Sequence, residues 1–132
     1  MTIIDLLERN ASLYTNETAL VEINPDQPET RRTTWQEFEL VEPTPKVRHY
    51  RREITWGVFN EKANRCANML VHNGIGKGKK VAILLMNSLM WLPIYFGILK
   101  TGALAVPLNF RYSADEIEYC VNLAEADVLV FS

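Results

Sequence analysis

Residues 80–132 read KVAILLMNSLMWLPIYFGILKTGALAVPLNFRYSADEIEYCVNLAEADVLVFS, and the order of apolar runs within them decides the fold. Val81 to Met86 is a continuous apolar run of strand length. An apolar segment of helical length follows from Leu89 to Leu99, then a second short run, Leu104-Ala105-Val106. Ser113 to Ala124 carries apolar residues at helical spacing, and Val128 to Phe131 is a third strand-like run. Strands that are apolar throughout and alternate with helices belong to a parallel sheet covered on both faces. The expected fold is therefore α/β, a Rossmann-like parallel βαβαβ unit in three layers. With nothing after Ser132 to extend or cover that sheet, the chain reads as a piece of something larger.

Punctuation along the chain sets the expected helix ends. Thr55 is placed to cap a helix, because its hydroxyl can accept from an exposed backbone N–H. Phe59, Ala63, Cys66, Ala67, Leu70 and Val71 then share one face, and Gly74 supplies the left-handed residue that ends the helix. Asn87 or Ser88 is the expected cap of the next helix, with Pro93 close to its first turn and Gly102 at its end. Ser113-Ala114-Asp115-Glu116 has the form of a capping box, and Ile117, Cys120, Val121 and Ala124 are the expected buried stripe behind it.

Ahead of this unit, Ile3, Ile4, Leu6, Leu7 and Leu13 suggest a short N-terminal helix whose polar side carries Asp5, Glu8 and Arg9. Thr18 to Ile23 reads as a strand. From residue 24 to 53 the character changes, with four of the six prolines (Pro25, Pro28, Pro43, Pro45) among many charges. Two β-prone runs, Thr33 to Val41 and Val47 to Thr55, flank Pro43-Thr44-Pro45. They predict an inserted β-hairpin, with an unstructured loop as the alternative. The organisation is thus 1–23 (helix and strand), 24–53 (insertion) and 54–132 (the βαβαβ half).

Composition narrows the function classes. At 132 residues, 48% hydrophobic and 23% charged, the chain can bury a genuine core. A net charge of −2 gives no electrostatic case for nucleic acid or an anionic membrane. Cys66 and Cys120 fall at apolar helical positions and read as reduced thiols, and His49 and His72 stand apart, so no metal-ligand spacing exists. Asp5 and Glu8 argue against a secretory signal, and Leu89 to Leu99 is too short to span a bilayer. The expected compartment is the cytoplasm.

Three constellations invite a functional reading. Gly74-Ile75-Gly76-Lys77-Gly78-Lys79-Lys80 has the composition of a phosphate cradle. A phosphate loop must follow a strand and open a helix, and this segment does the reverse, so a helix cap and turn is the better reading. Arg48-His49-Tyr50-Arg51-Arg52 is a basic run with Glu37, Glu39, Glu42 and Glu53 nearby to neutralise it, which favours a solvated strand face over an anion site. Trp91, Tyr95, Phe96 and Ile98 can line a pocket, but an apolar helix beside a parallel sheet is more often core. No nucleophile–base arrangement is supported.

From Ile54 to Ser132 the chain resembles the AMP-forming acyl-CoA synthetases and related adenylate-forming (AMP-binding) enzymes. The resemblance is carried by Thr55-Trp56, Asn60, Ala63-Asn64-Arg65, Ala67-Asn68 and Leu70, then by Gly74-Ile75, Lys77-Gly78 and Val81 to Leu84. It continues through Asn87-Ser88, Trp91, Ile98-Leu99-Lys100 and Gly102-Ala103, and ends with Val106 to Asn109, Arg111, Ala114 and Glu116-Ile117. Residues 2–14 and 19–21 fit the family's first helix and strand more loosely. Lys79 stands where the family usually has Asp, and residues 24–53 exceed the usual short link.

The resemblance implies a piece of the large N-terminal domain of a ligase that joins a carboxylic acid to coenzyme A through an acyl-adenylate. ATP, Mg²⁺ and coenzyme A serve that parent enzyme, while the phosphate loop and the catalytic lysine lie beyond Ser132. The fragment itself is expected to be scaffold without catalytic residues, binding none of these alone, with the rest of its enzyme as partner and a tendency to self-associate. Asn109 and Arg111, at the carboxyl end of a strand, are the candidate site residues, where Arg111 meets the phosphates of coenzyme A. The competing role for Arg111 is a surface ion pair with Asp115 or Glu116. Two alternatives stay open for the whole: an amino-acid-activating adenylation domain, and a stand-alone non-catalytic binding module.

Overall fold

The computed structural model describes residues 1–23 and 51–132. In chain order these form α1 (Ile3–Leu13), β1 (Thr18–Ile23), β2 (Arg51–Thr55), α2 (Trp56–His72), β3 (Lys80–Leu84), α3 (Trp91–Lys100), β4 (Leu104–Pro107), α4 (Ala114–Ala124) and β5 (Val128–Phe131). β3, β4 and β5 form a parallel sheet in the order β4-β3-β5. The connection through α3 carries the chain one strand to one side, and the connection through α4 carries it back past β3. Because such crossovers are right-handed, α3 and α4 lie on opposite faces of the sheet, the expected three-layer arrangement.

The core sits on the α2/α3 face. Val81 and Ile83 are fully buried there with Leu85, Ile98, Leu70 and Ile75, and their strand neighbours Ala105, Val128 and Val130 pack against the same cluster. Burying each of the large aliphatics contributes roughly 1.5–3 kcal/mol. A second cluster joins α1 to the two helices through Leu7, Phe59, Ala63 and Phe96, with Phe59 and Phe96 meeting edge to face at 5.3 Å. α2 and α3 approach closely at Gly97, where an added Cβ would lie 2.6 Å from the Cys66 Cβ and 3.0 Å from the Ala63 carbonyl oxygen. The opposite face is thinner: Ile117, Cys120, Val121 and Ala124 are only half-buried, so the expected stripe of α4 exists but is not interior.

Most helix ends follow their local chemistry. Thr55 caps α2 by accepting the Val58 N–H, and both halves of the Ser113–Glu116 box are present. Thr2 and Asp5 form a second box at α1. α2 ends in a Schellman turn: Gly74 has φ +79°, its N–H reaches the Val71 carbonyl, and Ile75 N–H reaches Leu70. The glycine-lysine run is therefore the cap and turn expected of it.

Two expectations are corrected. Neither Asn87 nor Ser88 caps α3; the N-cap is Met90, with no side-chain bond. Pro93 explains the delay. A start after Ser88 would put Pro93 at the fifth helical position, where its missing N–H and its ring would conflict with the Leu89 carbonyl. A start at Trp91 leaves it among the groups that have no intrahelical partner. Val71 lies on the exposed side of α2 rather than in the buried face, which ends at Leu70.

Of the expected hairpin, the run from 33 to 41 and the proline turn lie outside the described residues. β2 pairs antiparallel with β1, Leu20 opposite Ile54 and Glu22 opposite Arg52. No described helix is long and apolar enough to cross a membrane.

Candidate functional site

In an open parallel sheet, ligands approach the carboxyl ends of strands where neighbouring connections depart in opposite directions. Here that point lies between β3 and β4, since the chain leaves β3 for one face and β4 for the other. Two loops meet at it, 85–90 after β3 and 108–113 after β4.

The second loop carries both predicted site residues. Leu108 N–H still donates to the Ile83 carbonyl at 2.8 Å, so the chain stays tied to β3 one residue beyond β4. Asn109 then organises the turn: its side-chain Oδ1 accepts the Arg111 N–H at 3.0 Å, and its carbonyl accepts the Tyr112 N–H at 3.0 Å. The Arg111 guanidinium carbon lies 5.5 Å from the centre of the Phe110 ring, a cation–π distance.

Arg111 is exposed and forms no ion pair with any described residue, so the alternative pairing with Asp115 or Glu116 is not what the side chains do. Glu116 is taken up by the capping box, accepting the Ser113 N–H at 2.8 Å and its hydroxyl at 3.0 Å. The backbone and then the side-chain bond from Ser113 hold its carboxyl below the usual range. The positive charge of Arg111 is thus presented to solvent beside a parallel-sheet switch point.

The first loop borders a cavity of about 360 Å³ closed on its other side by β1. Leu20, Trp91 and Leu92 supply apolar wall, and Asn87, Ser88 and Glu22 polar rim. Glu22 fixes the loop by accepting the Leu89 N–H at 3.3 Å. Of the aromatic set weighed from sequence, Trp91 lines this cavity and stacks on Tyr95 at 5.4 Å, whereas Phe96 and Ile98 belong to the core. Glu22 escaped the sequence reading because nothing in its spacing links it to a loop 67 residues away.

Elsewhere the polar side chains do structural work. Glu53 is held below the usual carboxylate range, first by the Thr18 hydroxyl at 2.8 Å and then by Arg51. Arg51 thus spends its charge on its own strand, as expected for the basic run; residues 48–50 lie outside the described residues. Burial pushes the Cys66 thiol up, away from a reactive thiolate. Among the described residues no group of three His, Cys, Asp or Glu side chains can hold a metal ion.

The chain matches the AMP-binding enzyme family over residues 7–132. It is 37% identical over 91 residues to the long-chain-fatty-acid–CoA ligase FadD13 of Mycobacterium tuberculosis, a stretch covering 69% of this chain and 17% of that protein. Among solved structures, the N-terminal domain of FACL13 from Mycobacterium tuberculosis superposes with a TM-score of 0.73 at 28% identity, over 99% of this chain and 27% of that one. The anthranilate CoA ligase AuaEII, in complex with anthranoyl-AMP, gives 0.74 at 30% identity over 99% of this chain and 20% of that one. The chain thus spans about a fifth of the length of such relatives. Matched over nearly all its length in both sequence and fold, this chain belongs to the AMP-binding enzyme family.

Proposed function

We propose that this chain is the opening part of the large domain of an ATP-dependent acyl-CoA synthetase, in which it supplies scaffold and one wall of the coenzyme A approach. In the whole enzyme a carboxylate attacks the α-phosphate of ATP, releasing pyrophosphate and leaving an acyl-adenylate. The thiol of coenzyme A then attacks the acyl carbon and displaces AMP. The observation that carries this reading is the family match over residues 7–132, joined to superposition on N-terminal domains of CoA ligases.

Arg111 fits a phosphate-binding part in the second step. An exposed guanidinium with no carboxylate partner among the described residues can offer two parallel N–H donors to phosphate oxygens, a bond of charge-assisted strength. Its place after β4 puts it on the side of the sheet from which a nucleotide-like ligand arrives. Asn109 shapes the same loop. In isolation the chain leaves Leu104, Tyr119, Leu123 and Phe131 exposed, and it self-associates through such apolar surface when the rest of its enzyme is not there to cover it.

The test uses the complete gene product and reads the two half-reactions separately. Carboxylate-dependent exchange of pyrophosphate into ATP is expected, together with thioester formation on adding coenzyme A. Exchange with amino acids alone would move the protein to the amino-acid-activating branch, and no exchange with any acid would leave a non-catalytic module. Arg111→Ala is expected to raise KM for coenzyme A by about tenfold or more while exchange continues. Equal loss in both half-reactions would remove Arg111 from the coenzyme A path.

A further inference from the structure

We propose that Asn109 is a positioning residue for the coenzyme A step, acting through Arg111; this rests on the reading of Arg111 as the cation that meets the coenzyme A phosphates. The sheet anchors the chain up to Leu108, whose N–H donates to Ile83, and helix α4 anchors it again from Ser113, where the capping box closes. Residues 109–112 cross between these anchors. Among the described residues, Asn109 receives two main-chain N–H groups within that crossing, that of Arg111 on its side chain and that of Tyr112 on its carbonyl. Only the first depends on the identity of residue 109.

That bond bears directly on where the guanidinium stands. It fixes the backbone at Arg111, and the Phe110 ring at 5.5 Å then offers the side chain a face to lie on. Of the two nearby carboxylates, Glu116 is held by Ser113 and Asp115 forms no ion pair with Arg111. An arginine side chain loses much rotamer freedom when it engages a phosphate, so a loop that already fixes its backbone reduces what binding must order. Replacing Asn109 by Ala leaves the charge in place and removes the restraint. A serine at 109 keeps a local acceptor of weaker kind.

The experiment is a double-mutant cycle in the complete enzyme, with KM for coenzyme A and the pyrophosphate-exchange rate as readouts. Asn109→Ala is expected to raise KM for coenzyme A about three- to tenfold, with exchange and melting temperature little changed. Asn109→Ser should recover part of that loss, and Asn109→Ala should add nothing in an Arg111→Ala background. An equal effect of Asn109→Ala in both backgrounds would overturn the proposal, as would a parallel fall in exchange and melting temperature. If Arg111→Ala weakens coenzyme A use and Asn109→Ala does not, the positioning role alone fails. If Arg111→Ala is itself silent, the coenzyme A reading of the loop fails and the positioning role falls with it.

Discussion

The carboxylate of Asp127 accepts the main-chain N–H of Lys80 at 2.8 Å, and the Asp127 N–H returns a bond of 2.8 Å to the Lys80 carbonyl. The pair locks the first residue of β3 to the residue before β5, setting the register of the parallel pairing at its open end. Lys79 adds its ammonium to the other carboxylate oxygen at 2.8 Å.

Asp127 therefore gives the fold an acid-sensitive clasp. The Lys79 side chain and then the Lys80 N–H hold its carboxyl below the ordinary Asp value of 3.8. A folded pKa below the unfolded one means the stabilisation is complete above the unfolded value and is lost as pH falls through the folded one. Asp127→Asn should lower the melting temperature at pH 7, and the gap to the parent protein should close as pH drops below about 4. Melts across pH 2–7 check this; a gap that persists at the acid end would show that the carboxylate charge is not responsible.

Gly97 is fixed by space rather than by backbone conformation. A Cβ there would meet the Cβ of Cys66 at 2.6 Å and its Sγ at 2.8 Å, on the line where α2 and α3 come closest. Gly97→Ala should cost about 1–3 kcal/mol by forcing the helices apart, despite the better helix propensity of alanine. Cys66→Gly in the same protein removes the two nearest opposing atoms, leaving the Ala63 carbonyl oxygen at 3.0 Å, and should recover part of the loss beyond additivity, read from denaturant midpoints.

The elements legible in the sequence were those whose signals are local. Val81 to Leu84 is apolar at every position, and Ser113–Glu116 contains both halves of its own cap, so neither needs a distant partner to be recognised. The start of α3 is not legible in the same way, because Asn87 and Ser88 both look like caps while the steric demand of Pro93 acts on a carbonyl four residues back. The clasp at Asp127 and the hold of Glu22 on Leu89 join positions 47 and 67 residues apart, and no periodicity encodes them. Arg111 stood out through its place after a strand. That it pairs with no carboxylate among the described residues did not, because Asp115 lies as close in sequence as a partner would and only the side-chain placement leaves it unpaired with Arg111, while Glu116 is taken by its own legible box.

Glu125 is the one described non-glycine residue with positive φ, at 52°. It closes α4, with its own N–H on the Asn122 carbonyl and the Ala126 N–H on Val121. A left-handed conformation costs a residue with a Cβ about 1 kcal/mol, which glycine avoids. Its ion pair with Lys80, at 3.4 Å with the glutamate almost fully exposed, offers little in return. Glu125→Gly should therefore stabilise the protein by about 0.5–1 kcal/mol, whereas Glu125→Ala, which keeps the Cβ, should not. Equal effects of the two would assign the gain to lost charge instead.

Lys100 and Glu8 join α3 to α1 at 2.7 Å, but the two partners are not equally dependent on the bond. The Lys100 side chain is only 8% exposed, while that of Glu8 is 55% exposed. Removing the carboxylate leaves an ammonium in a site that water reaches poorly, and a buried charge without its partner is the costly outcome. Removing the ammonium leaves a carboxylate that water can solvate, and a methionine can fill the vacated channel with similar volume. Glu8→Ala should thus destabilise by about 1–2 kcal/mol, more than twice the effect of Lys100→Met, and the Glu8→Ala effect should vanish in the Lys100→Met background. Denaturant midpoints of the four proteins decide it: equal losses in the two single variants would mean that solvent serves both ends of the pair alike.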